Sequence, residues 1–257
     1  MEWLTQAYRQ IAEAGLNNKD AKPEDTACQS GHPLEYEWTD GSMGYWRLPR
    51  CRMCAEIAKE AKRAELAEKR LDIARVPKML RRLSLGHLFV DDHNAAAFEA
   101  VKRWADPAWV MFTGPVGTGK TSWATALFNC LAGEGGKWSG AMWMTESGLF
   151  ELCDVAHKAS GYTGRQAQLS RVITSPLLML DDLGAGRSTL TEWQSTSMRH
   201  LFDTRHSNEL PTFITTNLRS MQDIADRYGG HVASRISEAS GGGVLVGGPD
   251  RRRRSNQ

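Results

Sequence analysis

The chain has 257 residues, of which 41% are hydrophobic and 24% charged, and its formal net charge is +2. This composition is ordinary for a soluble globular protein, and the length allows one sizeable α/β domain with a smaller module. No apolar run approaches the roughly 20 residues that span a bilayer, and the first residues lack the basic and apolar regions of a signal peptide. We therefore expect a cytoplasmic protein with no membrane partner. Its five cysteines show no secreted disulfide pattern and are expected to be reduced.

Three regions of the chain differ in composition. Residues 1–54 are polar and rich in turn-forming residues. Residues 55–84 start with an Ala-, Glu- and Lys-rich stretch, which predicts a basic linker helix over 55–75, and continue past Pro77 into a lead-in segment. In residues 85–257 short apolar runs alternate with amphipathic stretches. This alternation predicts an α/β fold in which helices cover both faces of a parallel sheet.

Two short pairs of metal-binding residues lie in the N-terminal region. The spacings are C-x3-H and C-x2-C, and the four residues are Cys28, His32, Cys51 and Cys54. Such paired spacings are typical of a structural Cys₃His zinc site, in which the metal supplies folding energy that a small apolar core cannot. We therefore predict a zinc-binding module over residues 1–54. The C-x2-C pair alone is also compatible with a redox pair, although the βαβ context of such a pair is missing.

The C-terminal region alternates predicted strands and helices. The strands are expected at residues 109–113, 141–145, 177–180 and 212–215, and the helices at residues 121–132, 146–158 and 192–205. Ligands of parallel sheets bind beyond the C-terminal ends of the strands. The residues that follow each strand are therefore the first candidates for a functional site.

The segment VMFTGPVGTGKTSWATALF carries the motif GxxxxGK[ST] between the first predicted strand and the first predicted helix. In this context the motif forms a P-loop, whose glycines let backbone N–H groups approach phosphate oxygens. Lys120 is expected to bind the β- and γ-phosphates of ATP, and the Thr121 hydroxyl to bind Mg²⁺. The predicted nucleotide-binding residues are Gly114, Pro115, Val116, Gly117, Thr118, Gly119, Lys120, Thr121 and Ser122.

The third predicted strand ends in two carboxylates, in the sequence SPLLMLDDLG. Its four consecutive large apolar residues are typical of a central parallel strand that is covered on both faces. Asp181 is expected to hold the Mg²⁺ shell, and Asp182 to position or deprotonate the attacking water. An Asp-Asp pair outside this context is more often a solvated turn. The fourth predicted strand ends in Asn217, whose amide either bonds the water or the γ-phosphate, or belongs to an ordinary turn.

Four segments follow one another along the chain: GPVGTGKT, LLMLDDLG, LPTFITTNL and DRYGGHVASRISE. With these segments in this order, the chain resembles the AAA+ ATPases of the DnaC/DnaI-type replicative helicase loaders and the related IstB-type proteins. The similarity covers about residues 75–252. It implies a P-loop NTPase of the AAA+ type that uses ATP and Mg²⁺ to load a hexameric replicative helicase onto single-stranded DNA. It also implies a homo-oligomer with shared ATP sites. The compact chain is compatible with a phage or prophage gene.

The same resemblance implies roles for individual residues. Asn217 becomes the sensor-1 residue, and Arg235 becomes an arginine finger that acts on the site of a neighbouring protomer, with Arg227 as the alternative. Arg252 becomes the sensor-2 arginine, although its register within the four consecutive arginines stays open. The chain departs from many AAA+ proteins at Asp182, where those proteins carry glutamate. The shorter side chain bears on the rate of hydrolysis and not on nucleotide binding.

Two surfaces are candidates for contacts with partners. Loader-type ATPases resemble one another in using the region that corresponds to residues 157–171 to bind single-stranded DNA. Here Lys158 and Arg165 would contact the backbone and Tyr162 would stack on a base, whereas the alternative is an ordinary solvated helix and loop. If the protein is a loader, the zinc module and the linker helix are the expected surface for the helicase. The linker helix alone is also compatible with a plain solvated spacer.

Two other functions are compatible with these motifs. An IstB-type transposition helper would act on double-stranded DNA and recruit a transposase, although a zinc module that docks a partner favours the loader. A small-molecule or nucleoside kinase with the same P-loop would need an acceptor pocket and an Arg-rich lid. The chain instead has sensor-like and finger-like elements.

Overall fold

In the computed structural model the described residues are 28, 30–32, 34, 37–39, 45–47, 51–106, 108–186 and 189–251. The chain divides into two compact units, Met1–Glu65 and Leu66–Gln257. Across these described stretches, no helix has the length and apolar character that crossing a membrane requires.

The first unit contains a short antiparallel hairpin. Strand β1 spans Glu37–Thr39 and strand β2 spans Tyr45–Arg47, with Trp38 opposite Trp46. Helix α1, Arg52–Ile73, begins in this unit. A two-stranded hairpin has little stability in water by itself. The hairpin therefore needs a further source of folding energy, which the cysteine and histidine cluster described below can supply.

Helix α1 covers most of the stretch predicted as the linker helix. Residues 55–66 are exposed on every side of the helix, in keeping with their charged and alanine-rich composition. Near the end of the helix, Leu71 and Ala74 are buried in the second unit. The helix ends before Arg75, which has a left-handed backbone (φ 66°). The carbonyl oxygen of Ala74 then accepts a hydrogen bond from the N–H of Trp143 at 2.7 Å.

The second unit alternates helices and strands around one sheet. In chain order they are α2 (Ala95–Arg103), β3 (Val110–Thr113), α3 (Lys120–Glu134), β4 (Met142–Thr145), α4 (Glu146–Ile173), β5 (Leu178–Leu183), α5 (Glu192–Ser207), β6 (Thr212–Thr216), α6 (Met221–Tyr228), α7 (Gly230–Ser240) and β7 (Val244–Leu245). Single 3₁₀ turns lie at Leu85–His87 and Gly136–Trp138. The five strands are parallel, in the order β4-β5-β6-β3-β7. The predicted parallel sheet with flanking helices is confirmed.

Buried side chains on the two faces of the sheet form two apolar clusters. Leu178 and Leu180 of β5 belong to one cluster and Met179 to the other. Successive residues of a strand point to opposite faces, so a strand covered on both faces is apolar at every position. Burial of each such side chain contributes about 1.5–3 kcal/mol. This interior strand of the sheet carries the two carboxylates at its end.

The strand order decides which chain segments meet at the C-terminal edge of the sheet. Strand β6 lies between β3, which leads into the P-loop, and β5, which carries the carboxylates. All three strands are parallel, so their C-terminal ends lie at the same edge. The register between β5 and β6 is interrupted by a bulge between Leu180 and Leu183. This bulge lies at the two carboxylates.

Helix α4 is longer than the helix predicted over residues 146–158. It continues to Ile173 through a kink at Ser160 (φ −140°) and Gly161 (φ 62°). The non-helical backbone at these two residues separates two helical segments, and Leu169, Val172 and Ile173 of the second segment are buried in the core. Residues 157–171, the region proposed for DNA, therefore contain this break and most of the second segment.

Candidate functional site

The P-loop joins β3 to α3 at the C-terminal edge of the sheet. Gly114 has φ 144°, and a Cβ atom there would lie 2.2 Å from the carbonyl oxygen of Val246, so the position requires glycine. Lys120 is the first residue of α3 and is buried. Its ammonium group donates to the carbonyl oxygens of Gly114 (2.9 Å) and Pro115 (2.7 Å) and to Oδ1 of Asn217 (2.8 Å). The lysine is thus folded back over the loop that would bind phosphate.

The other predicted loop residues follow the same backbone. Pro115 and Val116 are exposed at the tip of the loop. Thr118 is buried and its hydroxyl donates to the carbonyl oxygen of Pro115 at 3.0 Å. Gly119 has a left-handed backbone directly before α3. The helix therefore starts with its N–H groups directed at the loop, as an anion site at a helix N-terminus requires.

The two carboxylates at the end of β5 have different surroundings. Asp181 is buried, and its Oδ1 accepts hydrogen bonds from the hydroxyls of Thr121 (2.9 Å) and Thr215 (2.6 Å). Burial raises the pKa of the Asp181 carboxyl, and the bonds from Thr215 and Thr121 oppose that rise. Asp182 has a left-handed backbone (φ 56°), and its Oδ1 accepts from Nδ2 of Asn217 at 2.8 Å. The bulge brings both consecutive carboxylates into contact with residues of this edge.

These contacts form one continuous hydrogen-bond network. Its members, in order, are Lys120, Asn217, Asp182, Thr215, Asp181 and Thr121. The structure therefore brings together five residues that were predicted from separate motifs. Hydroxyl and carboxylate oxygens are the ligands that Mg²⁺ takes in proteins, so Thr121 and Asp181 fit that cation. Thr215 was not predicted, although its position two residues before Asn217 in a strand signals the same face.

A cavity of about 380 Å³ opens beside the P-loop. Residues 117–123, His87, Leu88, Phe89, Asn94 and Arg251 line it. A phosphate-binding loop next to apolar and aromatic side chains suits a nucleotide, which has charged phosphates and a flat base. The contribution of His87 to Phe89, at the start of the third region, was missed by sequence reasoning. These residues carry no motif, and only the tertiary structure brings them to the P-loop.

Among the described residues, Arg251 is the arginine that lines this cavity. The backbone N–H of Arg251 donates to the carbonyl oxygen of Gly117 at 3.0 Å. Its guanidinium group forms an ion pair with the Asp91 carboxylate at 2.7 Å. Partial burial raises the pKa of Asp91, but the Arg251 guanidinium outweighs this effect and holds that pKa below its usual range. Arg252, the predicted nucleotide contact, lies outside the described residues. Its place in the lining of the cavity makes Arg251 a candidate for a contact with a nucleotide from the same chain.

The two candidate arginine fingers differ in exposure. Arg235 on α7 lies 3.5 Å from Asp203 and 3.3 Å from Glu238, and its side chain is 33% exposed. Arg227 at the end of α6 lies 3.5 Å from the buried Glu146, and its side chain is 10% exposed. A neighbouring molecule can approach a guanidinium only where it is exposed. The geometry thus favours Arg235 over Arg227 for a contact between protomers.

The three predicted DNA contacts on α4 are not equivalent. Lys158 and Tyr162 lie on either side of the kink and are exposed, Tyr162 to 68%. Arg165 pairs with Asp154 at 2.6 Å, and its guanidinium lies 4.3 Å above the ring of Trp193. Only 20% of the Arg165 side chain is exposed. An intramolecular role accounts for Arg165, and the two residues at the kink remain the candidates for DNA.

The four predicted zinc ligands lie together in the first unit. One ligand atom from each of Cys28, His32, Cys51 and Cys54 lies within 4.8 Å of all the others. The Sγ atoms of Cys28 and Cys54 are 3.5 Å apart, and Nδ1 of His32 lies 3.4 to 3.7 Å from the three sulfur atoms. Bond lengths of about 2.3 Å for Zn–S and about 2.0 Å for Zn–N give tetrahedral edges of about 3.5–3.8 Å. The cluster therefore fits a tetrahedral zinc ion.

The charge state of the cluster also suits a metal. Partial burial raises the pKa of the Cys28 thiol, but hydrogen bonds from the backbone of His32 and Ser30 and from Cys54 and Cys51 outweigh this effect and lower it to about 6. The pKa of Cys54 is raised by its hydrogen bond with Cys28. The thiolate is the form of cysteine that binds zinc. The lowered pKa of Cys28 therefore favours the form of this side chain that binds zinc.

The chain matches no family model and no curated protein. The crystal structure of the DnaC helicase loader is similar with a TM-score of 0.55 and 23% identity, over 66% of this chain and 100% of that chain. The crystal structure of DnaI has a TM-score of 0.52 and 23% identity, over 69% of this chain and 94% of that chain. The replication initiator DnaA bound to AMPPCP and single-stranded DNA has a TM-score of 0.52 and 23% identity, over 64% of this chain and 49% of that chain.

These similarities concern the fold. They show that the chain shares the fold of the DnaC, DnaI and DnaA structures, as the order of the motifs predicts. The DnaC structure is matched along its whole length, whereas the DnaA structure is matched along about half of it.

Proposed function

We propose that this protein is a cytoplasmic AAA+ ATPase that loads a hexameric replicative helicase onto single-stranded DNA. The ATPase part is supported by the hydrogen-bond network that joins Lys120 and Thr121 to Asp181, Asp182 and Asn217 beside a cavity of about 380 Å³. The loading part is supported by the fold, because the similarity to the DnaC helicase loader covers all of that chain.

ATP would bind with its phosphates at the P-loop and its base beside His87 to Phe89. Lys120 would exchange the carbonyl oxygens of Gly114 and Pro115 for phosphate oxygens, whose charge its ammonium group offsets. Thr121 and Asp181 would hold Mg²⁺, which when bound compensates charge on the phosphate oxygens. The N–H groups at the start of α3 would bind the remaining phosphate charge.

Hydrolysis would depend on the second carboxylate and on a neighbouring protomer. Asp182 would accept a proton from the attacking water, and Asn217, which bonds both Asp182 and Lys120, would keep that water near the γ-phosphate. Arg251 would contact the nucleotide from the same chain. Arg235 of a neighbouring protomer would stabilise charge on the transferring phosphoryl group. We therefore propose a homo-oligomer in which hydrolysis requires assembly.

The partner surfaces follow from exposure and charge. Lys158 would contact the phosphate backbone of single-stranded DNA, and the exposed ring of Tyr162 would stack on a base. The zinc-binding first unit and the exposed stretch of α1 at residues 55–66 would dock the helicase. Binding and hydrolysis of ATP in the cavity of the second unit would then control the assembly of protein, helicase and DNA.

Helicase loading tests the proposal directly. The protein is mixed with a purified hexameric replicative helicase and circular single-stranded DNA, and DNA-bound helicase and the unwinding of an annealed oligonucleotide are measured with and without ATP. We expect an ATP-dependent increase in both, which the Lys120→Ala variant does not produce. Lack of helicase binding together with ATP-dependent assembly on double-stranded DNA would instead favour a transposition helper. Phosphate transfer to a small molecule would favour a kinase.

A further inference from the structure

A β-bulge lies at the two carboxylates of the proposed ATPase site. The register between β5 and β6 is regular up to Leu180 and resumes at Leu183, so Asp181 and Asp182 together lie opposite Thr215 of β6. A bulge of this kind leaves the extra residue of the bulged strand without a ladder partner. The left-handed backbone of Asp182 marks it as that residue.

Thr215 provides the missing partner through its side chain. Its hydroxyl oxygen accepts a hydrogen bond from the backbone N–H of Asp182 at 2.9 Å. The same hydroxyl donates its proton to Oδ1 of Asp181 at 2.6 Å. Thr215 is only 1% exposed, so water does not reach the hydroxyl to replace either bond. One buried hydroxyl thus holds the backbone of one carboxylate residue and the side chain of the other.

We infer that Thr215 is a positioning residue of the ATPase, which sets Asp181 and Asp182 at a fixed distance and direction from each other. The inference rests on the proposed function, in which Asp181 holds Mg²⁺ and Asp182 acts on the water. A non-glycine residue with a left-handed backbone keeps that conformation only where its surroundings hold it. Without the Thr215 hydroxyl, Asp181 would keep its bond from Thr121, but the N–H of Asp182 would lose the acceptor that Thr215 provides.

The Thr215→Val variant removes both bonds and keeps the shape and branching of the side chain. We expect the Mg²⁺ concentration for half-maximal ATPase activity to rise by about tenfold and kcat to fall by about tenfold, as is typical when a metal ligand loses its outer hydrogen-bond partner. The KM for ATP at saturating Mg²⁺ should change by less than about twofold, because the P-loop is intact. The Thr215→Ser variant retains the hydroxyl and should restore all three values to near those of the parent protein.

Thr212→Val is the matched control. Thr212 lies at the other end of β6 and is also buried. Its hydroxyl accepts a hydrogen bond from Nε of Arg205 and donates one to the carbonyl oxygen of Leu210. Loss of this hydroxyl should lower the melting temperature without changing the Mg²⁺ dependence of ATPase activity. If Thr215→Val likewise lowers only the melting temperature, Thr215 supports the fold alone and the inference is overturned.

Failure of this inference can be told apart from failure of the proposed function. Binding of a fluorescent ATP analogue is measured against Mg²⁺ concentration for the parent and for each variant, next to hydrolysis. A parent that binds no nucleotide would overturn the proposed function and the inference with it. A parent that binds nucleotide in a Mg²⁺-dependent manner, with an unchanged Thr215→Val variant, would overturn the inference alone.

Discussion

The ammonium group of Lys120 donates a hydrogen bond of 2.8 Å to the side-chain oxygen of Asn217, which lies 97 residues later in the chain. The amide nitrogen of Asn217 donates in turn to the carboxylate of Asp182, also at 2.8 Å. One amide therefore connects the residue proposed to bind phosphate with the residue proposed to act on water. The connection exists because β6 lies between β3 and β5.

Lys120→Ala is expected to weaken ATP binding by about 100-fold or more, since charge-assisted bonds to the phosphates are lost. Isothermal titration calorimetry with ATP and Mg²⁺ measures the change. Lys59→Ala, which removes an exposed lysine from α1, is the control and should bind ATP as the parent does. Equal affinity of the parent and Lys120→Ala would show that the P-loop assignment is wrong.

Asp182→Asn is expected to preserve ATP affinity and to slow turnover by about 100-fold, the lower end of the effect of a general base. The substituted amide keeps the size of the carboxylate but cannot accept a proton from water. Single-turnover hydrolysis and nucleotide affinity are measured on the same preparation. Asp226→Asn on α6 removes an exposed carboxylate and should leave both values unchanged. Turnover of Asp182→Asn at the parent rate would exclude Asp182 as the base.

The first unit is expected to contain about one zinc ion per chain, because its four ligand atoms already have tetrahedral spacing. Elemental analysis measures the metal, and a chelator should unfold the first unit before the second. Cys51→Ser should lose the zinc, whereas Cys130→Ser, an exposed cysteine outside the cluster, should retain it. His32→Ala tests the fourth ligand. A metal-free protein with an ordered first unit would contradict the zinc assignment.

Joint replacement of Lys158 and Tyr162 by alanine is expected to weaken binding to single-stranded DNA and to lower the slope of log affinity against log salt by about 0.7, one phosphate contact. Fluorescence anisotropy across a salt series measures both, and ATP affinity should not change. Arg165→Ala is the comparison. Because Arg165 is paired with Asp154 and stacked on Trp193, its loss should reduce stability more than DNA affinity. An unchanged salt slope in the double variant would show that Lys158 and Tyr162 are ordinary solvent-exposed residues that do not contact DNA.

Arg235→Ala is expected to leave ATP affinity intact and to remove the increase of specific ATPase activity with protein concentration, because a finger acts only between protomers. A mixture of Arg235→Ala with Lys120→Ala tests this directly. At some interfaces of a mixed assembly, the intact P-loop of an Arg235→Ala chain meets the intact Arg235 of a Lys120→Ala chain. Part of the ATPase activity should therefore return.

A self-contained site could not be rescued in this mixture. Activity no higher than the sum of the two separate variants, with mixed assembly verified by labelled chains, would exclude Arg235 as the finger. Arg227→Ala would then be tested in the same way. Failure of both arginines would contradict the shared-site proposal.

The sequence alone determined the chemical groups of the candidate sites and the fold class. Each motif is local: the P-loop and the Asp181–Asp182 pair each follow an apolar run within about ten residues, and the zinc ligands occur in two short pairs. The alternation of apolar runs with amphipathic stretches was sufficient to predict a parallel sheet with helices on both faces. Backbone preference and hydrophobic period are properties of neighbouring residues, so a single chain displays them directly.

Only the tertiary structure decided which of these groups meet and what each one bonds. The strand order brought Asn217 to Lys120, the bulge brought Thr215 between two carboxylates, and Arg251 reached Asp91 from 160 residues away. Arg165, which by its charge and position is a candidate for DNA, bonds Asp154 and stacks on Trp193. Hydrogen-bond partners and burial depend on packing between distant segments. Neither is encoded in local spacing, which is why these contacts could not be predicted from the sequence.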